Sequence, residues 1–150
     1  PFQCNLGYQV PRKKTADYIG KAKLEWVRAE LEAGRHPYKN TMVGLKFGGL
    51  PVTDYANDFW LVSAEADGDP VGYVTSPWYS PELETNIALA YVPVALSALD
   101  TEVFVHLPEI YADGEPGAPV AARVVEVPFR PSVNPNAREL ARSQGRDWTY

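Results

Sequence analysis

Residue types that often carry chemistry are scarce in this chain of 150 residues. It has one cysteine, Cys4, and two histidines, His36 and His106. A lone cysteine excludes an internal disulfide framework, so a reducing cytoplasm is the simplest expected location. His-x-x-x-His and Cys-x-x-Cys pairs are missing, as is any pairing of a nucleophile with its base that a sequence can reveal. We therefore predict no catalytic group and no metal site, with structural or surface roles for Cys4 and both histidines.

Positive charge and long apolar runs are also lacking. The formal net charge is −5, and the isoelectric point of the sequence is about 5.0. Nucleic acid and anionic membranes both require concentrated positive charge, so we expect neither as a partner. No apolar run approaches the roughly 20 residues that span a bilayer, and no basic-then-apolar signal segment opens the chain.

The chain opens on proline, and its first segment, "PFQCNLGYQV" (1–10), is already apolar. We expect a piece of a longer protein, with a processed or tag-cleaved start as the alternative. The length suits one domain, because a chain of this size can bury roughly 70% of its unfolded surface.

Residues 15–34 carry the pattern of an amphipathic helix. Thr15 or Asp17 can cap its start, because their side-chain oxygens accept free backbone N–H groups. Gly34 suits the left-handed residue that ends a helix, and Pro37 forbids continuation. The predicted apolar face consists of Ile19, Ala22, Trp26 and Leu31.

Residues 40–128 are rich in short β segments separated by turn signals. Val103 and Val105 share one face of such a segment, with Phe104 and His106 on the other, which is the period of a strand. Six segments without intervening helices predict a closed or nearly closed barrel, or a sandwich. The six segments are "TMVGLKF", "FWLVS", "VGYVTS", "IALAYV", "TEVFVHL" and "VAARVVEV".

Two acidic clusters, at 54–58 and 65–69, lack the ligand series and distal glutamate of a calcium loop. "EADGDP" (65–70) indicates a hairpin turn, with Asp67 and Gly68 providing positive φ angles. "FGGLP" (47–51) lacks the frame of a phosphate loop.

The segment "TDYANDFWLV" (53–62) mixes aromatic and polar side chains. These could line a pocket for a flat polar ligand. We favour the alternative, a polar bend followed by a core-facing aromatic strand. The residues concerned are Asp54, Tyr55, Asn57, Asp58, Phe59 and Trp60.

One long segment, "GYVTSPWYSPELETNIALAYVP" (72–93), closely resembles the signature of the C-terminal barrel domain of the aminomethyltransferase family, which is the family of the glycine cleavage T-protein. Four other segments resemble family segments in the same order, so the similarity spans about residues 5–130. The signature positions that fit are Gly72, Val74, Thr75, Ser76, Ser80, Pro81, Leu83, Asn86, Ile87, Ala88, Leu89, Ala90, Tyr91 and Val92. The four segments are "DYIGKAKL" (17–24), "MVGLKF" (42–47), "TEVFVHL" (101–107) and "VAARVVEVPF" (120–129).

This resemblance implies a fold and a division of the chain. We expect a mainly β protein: a six-stranded antiparallel β-barrel with an N-terminal helix and a C-terminal tail. Residues 1–38 would end the preceding folate-binding region with one helix, and 39–130 would form the barrel. Residues 131–150 run well beyond the usual end of the family, and their own sequence indicates a tail with a short helix.

The resemblance also implies a function. The chain would be the C-terminal fragment of a tetrahydrofolate-dependent methyl- or aminomethyltransferase, with the barrel closing one side of the folate and substrate cleft. Its partners would be the upstream folate-binding domain of the same polypeptide and a small-molecule methyl donor. The family's catalytic acid lies upstream, so we expect the fragment alone to be inactive and to bind tetrahydrofolate weakly or not at all.

Departures from the family pattern favour one branch. Pro77 and Trp78 stand where glycine cleavage proteins usually have glycine, which resembles the demethylases that act on methoxylated aromatic acids such as vanillate or syringate. Our candidates for cleft-facing positions are Trp60, Trp78 and Tyr79, and Arg130 is the candidate for folate contact. Barrel packing or a domain interface remains the alternative role for each. Other functional alternatives are the glycine cleavage T-protein itself, a dimethylsulfoniopropionate demethylase, and a stand-alone barrel for binding or assembly without catalysis.

Overall fold

A computed structural model describes residues 1–54, 58–114 and 118–129. The described residues fall into an N-terminal unit, Pro1–Lys39, and a barrel unit that begins at Asn40. The predicted tail, 131–150, lies outside the described residues, so its helix stays a prediction.

The N-terminal unit contains one α-helix, α1 (Lys21–Glu32), which follows two short 3-10 turns at Phe2–Cys4 and Gly7–Gln9. The helix ends as predicted: Gly34 has a left-handed φ of 72°. Its N–H donates to the Leu31 carbonyl at 3.0 Å, and the N–H of Arg35 donates to the Glu30 carbonyl at 2.8 Å. These two bonds satisfy carbonyl groups that the last helical turn would leave without partners.

The start of α1 differs from the prediction. Gly20 holds the N-cap position with a φ of 85°, and no side chain caps the helix. The prediction that Thr15 or Asp17 caps it is therefore wrong. The carboxylate of Asp17 instead accepts a hydrogen bond from the backbone N–H of Tyr18 at 3.0 Å, because a short acidic side chain readily bonds nearby backbone outside a helix.

The apolar face of α1 also differs from the predicted one. Leu24, Val27 and Leu31 pack with Phe2 and Val10 in a small core. The remaining predicted face residues are exposed: Ile19, Ala22 and Trp26. Two sets of apolar residues on this helix are spaced at the helical period. The sequence pattern alone does not show which set packs against the preceding 3-10 turns.

Six strands form the barrel unit, and every neighbouring pair is antiparallel. Their order around the closed barrel is β1-β4-β3-β2-β5-β6, and β6 pairs with β1. The predicted fold class is confirmed, and the barrel is the correct choice over a sandwich. The strands are β1 (Asn40–Phe47), β2 (Trp60–Ser63), β3 (Pro70–Ser80), β4 (Thr85–Pro93), β5 (Glu102–Val105) and β6 (Val120–Val125), with short 3-10 turns at Val94–Leu96 and Glu109–Tyr111.

Alternating side chains fill the barrel interior. Val103 and Val105 are fully buried, whereas Phe104 between them is half-buried, as the strand period predicts. In β4 the inward positions include two small residues, Ala88 and Ala90, which lie opposite larger residues of β1 in the register. This alternation of small and large side chains lets a narrow barrel fill without voids.

Strand β3 is longer than the sequence predicts. It runs to Ser80 and includes Pro77, so the connector to β4 is only 81–84. A bulge between Val74 and Ser76 shifts the register against β4. Pro77 is tolerated because β3 pairs with β2 only as far as Val74, which makes the second half of β3 an edge on that side.

The connection between β2 and β3 is a turn, as predicted, but its geometry is different. Neither Asp67 nor Gly68 has a positive φ, so the predicted angles are wrong. The N–H of Gly68 donates to the Glu65 carbonyl at 3.0 Å, closing a turn in which no residue has a positive φ. The connection has six residues, 64–69, and is therefore too long to need the mirror-image turn of a two-residue hairpin.

Candidate functional site

The signature stretch contains one buried polar side chain, that of Asn86, with 2% of its surface exposed. Its Oδ1 accepts a hydrogen bond from the backbone N–H of Val52 at 3.0 Å. Its Nδ2 donates to the carbonyl groups of Gly48 and Leu50, at 3.0 and 3.1 Å. Three of the four hydrogen bonds that the amide can make thus go to one loop, 48–52, which follows β1, so Asn86 holds this loop in place.

Two other signature residues serve the bulge and the strand pairing. The hydroxyl of Thr75 donates to the Leu89 carbonyl at 3.1 Å, across the bulge from β4. Gly72 lies so close to β4 that a Cβ atom there would collide with the carbonyl oxygen of Tyr91. Both positions therefore fix how β3 lies on β4.

Ser80 ends β3 and begins the tight connection to β4. Its Oγ accepts a hydrogen bond from the backbone N–H of Leu83 at 3.3 Å, and Glu84 takes a left-handed φ of 51°. Asn86, Thr75 and Ser80 therefore all bond backbone groups, which makes this stretch a scaffold.

The candidate cleft residues do not come together among the described residues. Trp60 is 5% exposed and packs in the barrel core, with ring centroids 6.5 Å from Phe47 and 5.6 Å from Tyr111. Trp78 is 48% exposed, and Tyr79 is half-buried. Successive residues of a strand point to opposite faces, so Trp78 and Tyr79 cannot line the same wall.

Arg130, the candidate for folate contact, lies outside the described residues, as do Tyr55 and Asn57 of the aromatic and polar segment. Asp54 and Asp58 are exposed. For Trp60 the structure matches the favoured alternative of a core-facing aromatic strand.

An aromatic row that the sequence pattern did not reveal runs from Phe59, which immediately precedes β2, to Tyr73 of β3 and Tyr91 of β4. The ring centroids of Phe59 and Tyr73 are 5.3 Å apart, and those of Tyr73 and Tyr91 are 5.6 Å apart. Phe59 is 67% exposed, and the neighbouring Leu61 is 49% exposed. The register of the strands places Tyr73 opposite Tyr91 of β4 on one side and opposite Leu61 of β2 on the other. Such cross-strand neighbours depend on how the strands pair, so the sequence of one strand does not reveal them.

The structure brings His106 to Ser63, with 3.0 Å between Nε2 and Oγ. The hydroxyl of Ser63 also donates to the carbonyl of Glu65 at 2.7 Å. Because the serine proton is used in that bond, Nε2 of His106 carries the hydrogen and donates to Oγ, an assignment made from the hydrogen-bond pattern. This is the reverse of a nucleophile and its base, so the pair is structural. His36 is exposed, and Cys4 is half-buried.

Neither a metal-binding cluster nor a membrane-spanning helix is present in the part of the chain that the structure describes. Within those ranges, no three acidic, histidine or cysteine side chains lie close enough together to hold a metal ion. The helix there is also too short and too polar to cross a bilayer.

Comparison with known proteins agrees with the barrel and its signature. The model of the glycine cleavage T-protein C-terminal barrel domain matches residues 41–130. An aminomethyltransferase from Symbiobacterium thermophilum is 37% identical over 131 residues, which are 86% of this chain and 29% of that protein. An aminomethyltransferase from Synechococcus sp. (strain CC9902) is 40% identical over 129 residues, covering 86% of this chain and 30% of that protein.

A solved structure shows the same fold. The glycine cleavage system aminomethyltransferase T from Bartonella henselae superposes with a TM-score of 0.61 at 27% identity, covering 87% of this chain and 32% of that one. The chain thus spans about a third or less of the length of these relatives. Since the domain model covers most of the chain and matches the whole barrel, this chain belongs to the glycine cleavage T-protein family through its C-terminal barrel domain.

Proposed function

We propose that this chain is the C-terminal region of a longer tetrahydrofolate-dependent one-carbon transferase. The observation that supports the proposal is the match of residues 41–130 to the T-protein barrel, in a chain that spans 29% of an aminomethyltransferase relative. The partner is the upstream folate-binding domain of the same polypeptide, and the second reactant is a small-molecule donor of the one-carbon group.

The barrel's part in this function is to provide shape rather than proton transfer. Asn86, Thr75 and Ser80 all bond backbone groups, and Ser63 with His106 forms a structural pair. A general acid or base needs a proton that it can pass to the reactant. We therefore expect the isolated chain to be inactive, with the catalytic acid in the upstream domain.

The described residues do not fit a folate site by themselves. Trp60 is committed to the core, and Trp78 and Tyr79 point to opposite faces. Arg130 remains the proposed folate contact, since a guanidinium can bind a carboxylate through two parallel hydrogen bonds.

The finer proposal concerns the donor, for which we favour a methoxylated aromatic acid. Trp78, at one of the positions that depart from the usual family pattern, presents a half-exposed indole, and an exposed aromatic ring can stack on a flat aromatic donor. The competing donor is the aminomethyl group of the glycine cleavage system, which the names of the relatives favour.

The test is a methyl-transfer assay of the full-length parent. Tetrahydrofolate is offered with vanillate, syringate, dimethylsulfoniopropionate or the carrier-bound aminomethyl intermediate. Turnover of the aromatic acids alone supports the finer proposal, and turnover of the aminomethyl intermediate alone rejects it while keeping the family function.

A pair of variants tests the part assigned to Trp78. Loss of one aromatic stacking contact of about 0.5–1.5 kcal/mol in Trp78→Ala should raise KM for the aromatic donor roughly 2- to 12-fold. Leu99→Ala is the control, since Leu99 is also exposed, at 61%, and lies in the barrel unit. Equal KM values for both variants would remove Trp78 from the donor site.

Binding of tetrahydrofolate to the isolated chain tests the alternative of a stand-alone binding module. Micromolar affinity would favour that alternative over the proposed function.

A further inference from the structure

The N-terminal unit has an apolar groove between its 3-10 turns and the start of α1. The groove has a volume of about 430 Å³, and among the described residues no charged side chain lines it. Its walls include Cys4, Leu6, Val10, Tyr18 and Leu24. Such a lining favours an apolar occupant, because a buried charge would find no partner there.

This groove borders the small core of the unit. Val10 and Leu24 belong both to that core and to the groove wall. Leu6, in the same wall, is 43% exposed. An apolar side chain placed in the groove would therefore extend the core and remove Leu6 from water.

The tail, 131–150, starts close to the N-terminal unit. A Cβ atom at Gly44 would lie only 2.8 Å from Cγ2 of Val127 and 2.9 Å from Cε1 of Phe129, so the chain that follows β6 passes close over β1. Strand β1 begins at Asn40, directly after the N-terminal unit, and Gly44 lies about 13 Å further along the strand. Since 20 extended residues span up to about 66 Å, the tail is long enough to return to this unit.

The sequence of the tail supplies an apolar surface that suits the groove. Ala137, Leu140 and Ala141 are spaced as one face of a helix within "NPNARELARS" (134–143), the stretch that is predicted to be helical. Trp148 follows this stretch and is the largest apolar side chain of the tail. The tail therefore has the pattern of a short amphipathic helix with an aromatic anchor behind it.

We propose that the tail folds back onto the N-terminal unit and places Leu140 and Trp148 in the apolar groove. Two observations specify this occupant. Residues 131–150 belong to the same unit as Pro1–Lys39, and the apolar face of the tail matches the uncharged groove wall. An amphipathic helix that lies in an apolar groove is a common mode of peptide recognition. This docking needs neither folate nor donor, so it goes beyond the proposed function.

Cys4 provides a direct test, because it is the single cysteine of this sequence and lies in the groove wall. Leu140→Cys and Trp148→Cys each add one possible disulfide partner for it in the 150-residue chain. A disulfide forms without backbone movement only when the two Cα atoms are within about 7 Å. We expect mild oxidation to link Cys4 to at least one of these positions within a single chain, and peptide mass spectrometry identifies the link.

The matched control is Ser143→Cys, since Ser143 lies in the same predicted helix but outside its apolar face. Its link to Cys4 should form roughly tenfold more slowly, because it requires local opening. Far-UV circular dichroism establishes that the three cysteine variants keep the wild-type fold.

The rate at which iodoacetamide alkylates Cys4 gives a second, independent readout. Leu140→Asp places a charge on the apolar face of the tail and should raise this rate about tenfold or more, because the groove is then uncovered. Leu99→Asp makes the same chemical change at an exposed site of the barrel unit and should leave the rate unchanged. If Leu140→Asp fails to fold, the cysteine variants decide the question.

Three results would overturn the proposal. The first is linkage at Ser143→Cys that is as fast as at Leu140→Cys and Trp148→Cys. The second is an alkylation rate that a folded Leu140→Asp variant leaves unchanged. The third is a yield of links that rises with protein concentration, which would make the tail of a second copy the occupant.

Discussion

Replacing Asn86 with alanine should destabilise the barrel more than any other single truncation of a signature side chain. The change removes three hydrogen bonds, to the N–H of Val52 and to the carbonyl groups of Gly48 and Leu50. Val52 is fully buried, whereas Gly48 and Leu50 are exposed. The N–H of Val52 is thus cut off from water, while the two carbonyl groups can be rehydrated.

These contacts set the magnitude of the loss. An unsatisfied buried N–H costs about 1–3 kcal/mol, and each lost bond to a rehydrated carbonyl costs about 0.5–1.5 kcal/mol. The sum for Asn86→Ala is roughly 2–6 kcal/mol, against a total stability of about 5–15 kcal/mol for a typical domain. The variant should therefore be severely destabilised, although Gly48 and Leu50 of the loop are exposed.

Urea unfolding of the 150-residue chain, followed by far-UV circular dichroism, measures this loss as a lower transition midpoint. Thr85→Ala is the matched control, because its neighbouring hydroxyl makes a single bond of 3.3 Å, to the Phe47 carbonyl. We expect it to cost at most about 1.5 kcal/mol. If Asn86→Ala costs no more than Thr85→Ala, the loop does not depend on the amide and the reasoning fails.

Three further predictions follow from local geometry. Gly72→Ala should lower the free energy of unfolding by about 1–3 kcal/mol, because the added Cβ would collide with the carbonyl oxygen of Tyr91. An unchanged thermal unfolding temperature would contradict this. Hydrogen bonds from Arg35 hold the pKa of Glu30 below its usual value, so their stabilisation of the helix end is present above the ordinary carboxylate pKa and is lost as pH falls through the lowered one. Helix content measured by circular dichroism should show this loss, and it should be absent in Glu30→Gln. Burial raises the pKa of Tyr38. Its neutral form therefore stabilises the N-terminal unit below about pH 10, the ordinary tyrosine pKa, and this stabilisation is lost as the pH rises through the raised pKa. In unfolding curves measured at alkaline pH, Tyr38→Phe should abolish this loss.

The barrel could be predicted from the sequence because its signals are local and repeated. Alternating residues such as Val103 and Val105 mark the inner face of a strand, and short polar connections separate the six segments. The family signature adds the choice of a closed antiparallel barrel over a sandwich. Such patterns can be recognised in the sequence because each depends only on residues that are close together along the chain.

The candidate site could not be predicted in the same way, because it depends on strand register. Without the bulge between Val74 and Ser76, the inner face of β3 would continue from Val74 to Ser76 and Trp78. The bulge shifts this parity, so Pro77 is buried and Trp78 is exposed. A slip of one residue exchanges the two faces of a strand, and nothing in the local sequence pattern marked the slip.

The same limit applies to α1 and to the aromatic row. Ile19 and Trp26 fit a helical stripe in the sequence, but the tertiary contacts of Phe2 and Val10 select a different one. The row that includes Tyr73 and Tyr91 exists only once β3 and β4 pair. Propensity and period therefore identify elements, whereas the surfaces they share arise from packing.

The pairing of β6 with β1 has a consequence for synthesis. Phe47 lies opposite Ala122 and Gly44 lies opposite Val125 in the register, so β1 gains its second neighbour only when the last strand, β6, has been synthesised. Until then β1 and β5 both present open edges, which can pair with other chains. A nascent or truncated chain that stops before Val120 should therefore aggregate rather than accumulate as a smaller folded barrel, and expression boundaries for this domain should lie beyond β6.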